Sequence, residues 1–388
     1  MAILLAAMVG LNALAMDAYL PAIAEMALEL AVPVQIIEHS VPMYMLGYTL
    51  GLLGAAPFSD RLGRKPICTT GVVLYMLCSL GAALVQSAAL LGALRVLQGI
   101  GAGICLVNVG AIVRDLYDEH DSARQLSRIT LLLMALPLVA PFGGAFVLNI
   151  ASWRWIFVAL AFYGFVVLLA IWQFLPETGR RRGRTSPDQG PLSFLISHVL
   201  SVLAHRRATF FALTAALSVA NLFLFLSDAA FVYLKHFGVS TTRFPVYFGA
   251  NVVLMAAMHF LNLRLLKSFK PRAIMPVGLW LTLTAAVWAC VYSVAFEPTL
   301  GVTVLNTALV MAMQTLVVNN AQAAYMSRFD ENAGMANALI GGLIFAVGAG
   351  AGLVLGALHN NHPSALTTAW VVVSVLALVC ARIALRER

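Results

Sequence analysis

Apolar stretches long enough to cross a bilayer, about 20 residues each, follow one another almost from end to end of this chain. A water-soluble surface cannot be built from such a sequence. Of the 388 residues, 61% are hydrophobic and only 10% charged, against about 25% charged in an ordinary soluble domain. Lipid is therefore the solvent for most of the protein.

Apolar length, with Gly, Pro and charge as punctuation, predicts membrane helices near 3–24, 40–58, 67–86, 89–112, 127–149 and 154–175. A second set falls near 209–233, 245–266, 273–295, 299–324, 335–358 and 364–384. The expected organisation is a six-helix bundle over 1–175, a polar linker over 176–208 and a second six-helix bundle over 209–388. The later part of the linker, Leu192 to Arg207, has an apolar face and is expected to lie along the membrane surface. The N-terminal apolar run has no preceding Lys or Arg and extends too far for a signal segment, so it reads as the first span.

The net charge of +8 is a topology signal. Twenty of the 24 Lys and Arg residues fall in connectors on one side. Arg154, Lys235 and Arg243 fall on the other, and Arg95 lies inside a helix. The positive-inside rule then places both termini and the linker in the cytoplasm, as expected for a multi-pass protein of a bacterial inner membrane. Nucleic-acid binders instead cluster basic residues with aromatics on one wet face, so no nucleic-acid partner is expected. Cys68, Cys78, Cys105, Cys290 and Cys380 lie singly within helices without metal-ligand spacing. No nucleotide-binding loop, metal cluster or nucleophile–base arrangement stands out. An enzyme is not expected, nor any metal or cofactor.

Four motifs carry the functional reading. The connector after the second helix is Ala56-Pro57-Phe58-Ser59-Asp60-Arg61-Leu62-Gly63-Arg64-Lys65-Pro66. Gly63 permits a tight turn, and Arg61 and Arg64 can pair with acids such as Asp115. The fourth helix holds Arg95-Val96-Leu97-Gln98-Gly99-Ile100-Gly101. An arginine at that depth costs at least about 2.5 kcal/mol unless it faces a polar interior. Gln98 shares its face one turn on, and Gly99 with Gly103 offers a surface for close helix packing. The first helix carries Asp17-Ala18-Tyr19-Leu20-Pro21, and its Leu14–Ala18 stretch is faintly echoed by Leu226-Ser227-Asp228-Ala229 in the seventh. The triple Gly348-x-x-x-Gly352-x-x-x-Gly356 reads as a packing face.

The Asp60-Arg61-x-Gly63-Arg64-Lys65 connector resembles the signature loop of the major facilitator superfamily, with Ala56 where the family pattern begins with Gly. The Arg95 segment is similar to that family's arginine motif, and Asp17-x-Tyr19-Leu20-Pro21 resembles the motif of its Bcr/CflA (bicyclomycin-resistance and chloramphenicol-efflux) branch of drug:proton antiporters. Arg114-Asp115-Leu116-Tyr117, Trp153-Arg154-Trp155-Ile156-Phe157 and Leu175-Pro176-Glu177-Thr178 match further. Two positions depart: the glycine-rich run of helix five survives only as Ala140-Pro141-Phe142-Gly143-Gly144, and Asp228 stands where a small neutral residue is expected. The resemblance implies an all-α membrane protein of the major facilitator fold, with about 12 transmembrane helices in two six-helix halves and a loop that latches them on the cytoplasmic side. The latch residues are then Asp60, Arg61, Gly63 and Arg64, with Asp60 facing the eleventh helix near Gly334.

The function implied is proton-coupled export of drugs or drug-like small organic compounds. An exporter of one endogenous metabolite such as a siderophore, and an uptake symporter, are the alternatives. Partners would be a small-molecule substrate, protons and the lipid bilayer, with the chain a monomer. Counting about 1.5 Å per residue puts Asp17 and Arg95 at matching depths, about 6 and 8 Å outward of mid-membrane, and Asp228 about 10 Å outward. Asp17, Arg95 and Asp228 are the proton-coupling candidates. Tyr19, Tyr44, Tyr48, Gln98, Asn108, Phe231 and Gln314 are the candidates for the substrate cavity.

Overall fold

The computed structural model describes residues 1–133, 135–178, 205–329, 333–359 and 361–386. The proposed surface helix of the linker lies almost wholly outside the described residues. Eleven stretches of helix among them are long and apolar enough to cross a membrane, and the 23-residue helix Ser40–Leu62 is the twelfth long one.

The first unit comprises Met1–Ala31 and Met43–Leu200. Its first span is broken: α1 (Ala2–Asp17) gives way to a single 3-10 turn, Leu20–Ala22, before α2 (Ile23–Glu29). The break follows from Pro21. Proline has no N–H for the carbonyl four residues back, and its ring crowds that carbonyl, which here belongs to Asp17. The acid is thus placed where the helix stops. The remaining spans are α4 (Ser40–Leu62), α5 (Arg64–Ala83), α6 (Ala88–Leu116), the pair α7 (Glu119–Leu133) and α8 (Leu136–Ile150), and α9 (Arg154–Phe174). Gly63, with φ of +101°, makes the turn between α4 and α5, a conformation that L side chains seldom adopt.

The second unit comprises Ser201–Arg388 together with Val32–Pro42. The latter segment contains α3 (Val34–Glu38) and connects the first two spans in sequence. The spans of this unit are α10 (Arg206–Leu226) continued by a π-helical turn (Phe231–His236), α11 (Phe244–Leu265), α12 (Pro271–Ala295), α13 (Leu300–Met326), α14 (Ala333–Leu358) and α15 (Ser364–Arg386). Asp228 lies between α10 and the π turn, so it too sits at a break in its span. Polar residues inside these helices bond across helix pairs: Asn320 Nδ2 donates to Asn262 Oδ1 at 2.7 Å, and Asn319 Nδ2 lies 3.2 Å from His259 Nδ1.

Candidate functional site

Arg95, fully buried on α6, is the hub of the first unit's interior. Its guanidinium is stacked between the rings of Tyr19 and Tyr44, 4.4 Å from each centroid. One terminal nitrogen donates to Gln98 Oε1 at 2.6 Å and the other to the Ala15 carbonyl at 2.9 Å. Gln98 passes the chain on to Ser79 Oγ at 2.7 Å, and Ser79 donates to the Tyr75 carbonyl. Arg95 Nε and the Tyr44 and Tyr75 hydroxyls are buried without hydrogen-bond partners among the described residues. Tyr48 stacks beside Tyr44, and Phe157 packs on Tyr19.

Asp17 belongs to this site. It is 6% exposed, two residues beyond the Ala15 carbonyl that Arg95 holds. Its carboxylate has no ion-pair or hydrogen-bond partner among the described residues, although Tyr44 is within electrostatic range of both charges.

Glycines make this site compact. A Cβ on Gly99 would overlap the Tyr44 carbonyl, and one on Gly103 the Tyr48 carbonyl; reciprocally, Gly47 and Gly51 lie against the carbonyls of Val96 and Ile100. α4 and α6 therefore touch backbone to backbone, which draws the Tyr44 ring over Arg95. Gly144, at the surviving end of the helix-five run, lies against the Ala18 carbonyl, next to Asp17.

The signature loop forms a second polar cluster. Arg64 Nε is 3.3 Å from Asp115 Oδ2. The Arg64 backbone N–H donates to Glu177 Oε1 at 2.9 Å, and its Nη1 donates to Ser59 Oγ at 3.0 Å. Thr178 donates to the same Asp115 oxygen, and Lys65 Nζ to the Trp172 carbonyl at 2.7 Å. Three separated motifs thus meet on one arginine. The side chains of Asp60 and Arg61, and those near Gly334, lie outside the described residues.

The remaining candidates are elsewhere. Asn108 joins the loop cluster: Ser59 Oγ donates to its Oδ1, and its Nδ2 to the Ile104 carbonyl. It lies toward the α6 C-terminus, about 20 Å along the helix axis from Arg95. In the second unit, Gln314 is buried on α13 with its Nε2 3.6 Å from Met311 Sδ. Asp228 Oδ1 is 2.9 Å from His359 Nε2, and Phe231 packs edge-on against the His359 ring, 4.4 Å between centroids.

Sequence reading missed Glu29, Glu38, Glu177 as a loop partner, and His359. Glu29 accepts from Trp153 Nε1 at 2.5 Å and pairs with Arg154, which explains why the Trp153-Arg154 step opens α9. Glu38 is buried at 3% exposure, and an acid so enclosed in a connector is a signal available only once burial is known.

Long apolar helices, broken at buried acids and packed around a buried arginine hub, are the architecture of a membrane transporter. The chain belongs to the Major Facilitator Superfamily, whose family model matches residues 5–353. It is 30% identical over 372 residues to a bicyclomycin resistance protein homolog of Haemophilus influenzae, covering 93% of this chain and 90% of that one. It is also 29% identical to a chloramphenicol resistance protein of Pseudomonas aeruginosa, covering 94% and 84%. These relatives match the Bcr/CflA branch that the Asp17 motif resembles. Among solved structures, a D-xylose–proton symporter aligns with a TM-score of 0.73 over 98% of this chain and 95% of that chain at 15% identity, a likeness of fold.

Proposed function

We propose that the protein exports drugs or drug-like small organic compounds across the bacterial inner membrane in exchange for protons, with Asp17 as the coupling carboxylate. The observation that carries this reading is a buried acid at a helix break, on the level of a buried arginine but not paired with it. Such an acid can bind and lose a proton without breaking an ion pair, and its affinity responds to the hydration of its surroundings. Arg95, held by Gln98, Ala15 and two tyrosine faces, supplies a fixed positive charge beside it. Tyr19, Tyr44, Tyr48 and Gln98 offer aromatic and amide surface for an amphiphilic substrate. The relatives named for bicyclomycin, chloramphenicol and multidrug resistance (the last, MdtL of Salmonella typhi, 28% identical over 336 residues) support drugs as the substrate class. The excess of basic residues on one side supports cytoplasmic termini.

The test is transport by the purified monomer in proteoliposomes with an imposed pH gradient against a mixed panel. Gradient-driven movement of several unrelated drugs supports the reading. Movement of one metabolite alone would favour a dedicated exporter, and accumulation running with the proton flux would identify a symporter.

A further inference from the structure

The Val32–Pro42 segment is seated in the second unit by contacts of several kinds. Pro42 lies against Gly352 of α14, where a Cβ would come within 3.1 Å of it and 2.7 Å of Ser227 Oγ, and the His39 ring occupies the space a side chain at Gly356 would need. Gln35 Nε2 donates to Asn361 Oδ1 at 2.8 Å and lies 3.4 Å from His359 Nδ1. Glu38 Oε1 accepts the backbone N–H of Phe231 at 2.7 Å, a donor left over where α10 breaks into the π turn. The two-fold glycine spacing on α14 is therefore the bed of this segment.

Seating buries two acids together. Glu38 is 3% exposed and Asp228 1%, and each lies within the other's electrostatic range. His359 does not neutralise them. The backbone N–H of Asn361, which can only donate, points at His359 Nδ1 at 3.0 Å, so Nδ1 accepts and the ring's single proton is on Nε2, which lies 2.9 Å from Asp228 Oδ1 without hydrogen-bonding geometry to it. Lys235 of the π turn, whose Nζ sits 5.7 Å over the Phe231 ring, is the one cation among the described residues within electrostatic range of Glu38. His39 faces Gly356, and His236 stacks edge-on with His362, 5.9 Å between centroids. Asp228 Oδ2 is buried with no hydrogen-bond partner among the described residues. Two enclosed negative charges against one lysine is an arrangement that burial strongly disfavours. A proton on the pair resolves it. Among the described residues no group of His, Cys, Asp and Glu is arranged to hold a metal ion.

We propose that the Glu38–Asp228 pair is a proton-binding site of its own, holding one proton while the Val32–Pro42 segment is seated and releasing it when the segment lifts. Glu38 lies outside the spanning helices. Burial, with the Asp228 carboxylate adding to it, pushes the Glu38 carboxyl well above the usual range, against the smaller opposing pulls of the Phe231 N–H and Lys235. The seated state thus binds the proton more tightly than the lifted one, so seating is complete at low pH and lost as pH rises through the seated pKa.

The measurement is hydrogen–deuterium exchange of the Val32–Pro42 amides in the full-length protein, from pH 6 to 9, corrected for intrinsic rates. Wild type is expected to lose protection as pH rises, by about tenfold for each pKa unit separating the two states. Glu38→Gln still accepts the Phe231 N–H and is expected to stay protected throughout, as is Asp228→Asn. Gly356→Leu, which displaces His39, is expected to lose protection at every pH. Asp17→Asn is expected to follow wild type, which separates this site from the transport proton. A flat wild-type profile, a Glu38→Gln profile that falls with wild type, retained protection in Gly356→Leu, or abolition of the profile by Asp17→Asn would each overturn the proposal.

Discussion

Arg95 donates to the carbonyl of Ala15 at 2.9 Å and leaves the carboxylate of Asp17, two residues further on, outside any ion pair among the described residues. A buried pair would resist titration, because removing one charge leaves the other uncompensated at about 3–5 kcal/mol. The observed arrangement lets Asp17 change protonation while Arg95 keeps its ligands.

Replacing Asp17 with Asn should therefore abolish gradient-driven transport and leave folding intact. The amide fits the same space and removes only the proton. Drug movement down its own gradient in proteoliposomes is the accompanying readout; undiminished proton-driven efflux would remove Asp17 from the coupling role.

Arg95→Lys should fail on both stability and transport. An ammonium is a point charge without the planar fork, and it cannot bond Gln98 and Ala15 while lying flat between Tyr19 and Tyr44. Each cation–π contact is worth about 0.5–2 kcal/mol, so melting should fall by several degrees. Wild-type melting and transport would mean that only the charge matters.

A methyl group at Gly144 would overlap the Ala18 carbonyl, and backbone must move to admit it. Gly144→Ala should destabilise by about 1–3 kcal/mol and disturb coupling through Asp17. Gly143→Ala on the same helix is the control, since its Cβ would meet nothing within 4 Å. Equal effects of the two would argue against the contact.

At the loop cluster, Asp115→Asn removes an anionic partner of Arg64 far along α6 from the Arg95 site. Both side chains are about one-eighth exposed, so the loss should be about 1–2 kcal/mol. Turnover should fall up to about tenfold with apparent substrate affinity unchanged. A weakened affinity at normal turnover would contradict this placement.

Much of this was legible in the sequence for physical reasons. Twelve spans follow from apolar length, and the matching depths of Asp17 and Arg95 follow from the fixed rise of a helix. The Arg64–Asp115 pair follows from the charges of adjacent connectors. Glu38 and His359 were not legible. They are 321 positions apart, near opposite ends of the chain, and no periodicity relates a connector residue to the end of a distant helix. What joins them is the docking of one segment, which only the tertiary structure reveals.

The glycine-lined seam between α4 and α6 has a mechanical consequence. Tyr44 sits over Arg95 near one end of the pair and Ser59 meets Asn108 near the other, about 20 Å apart by helical rise. Side-chain joints can absorb a small movement by changing rotamer, but this joint is made of main chain on both faces. The two helices behave as a strut, so a shift imposed at the Arg64 end reaches the tyrosine pair as displacement rather than being dissipated on the way.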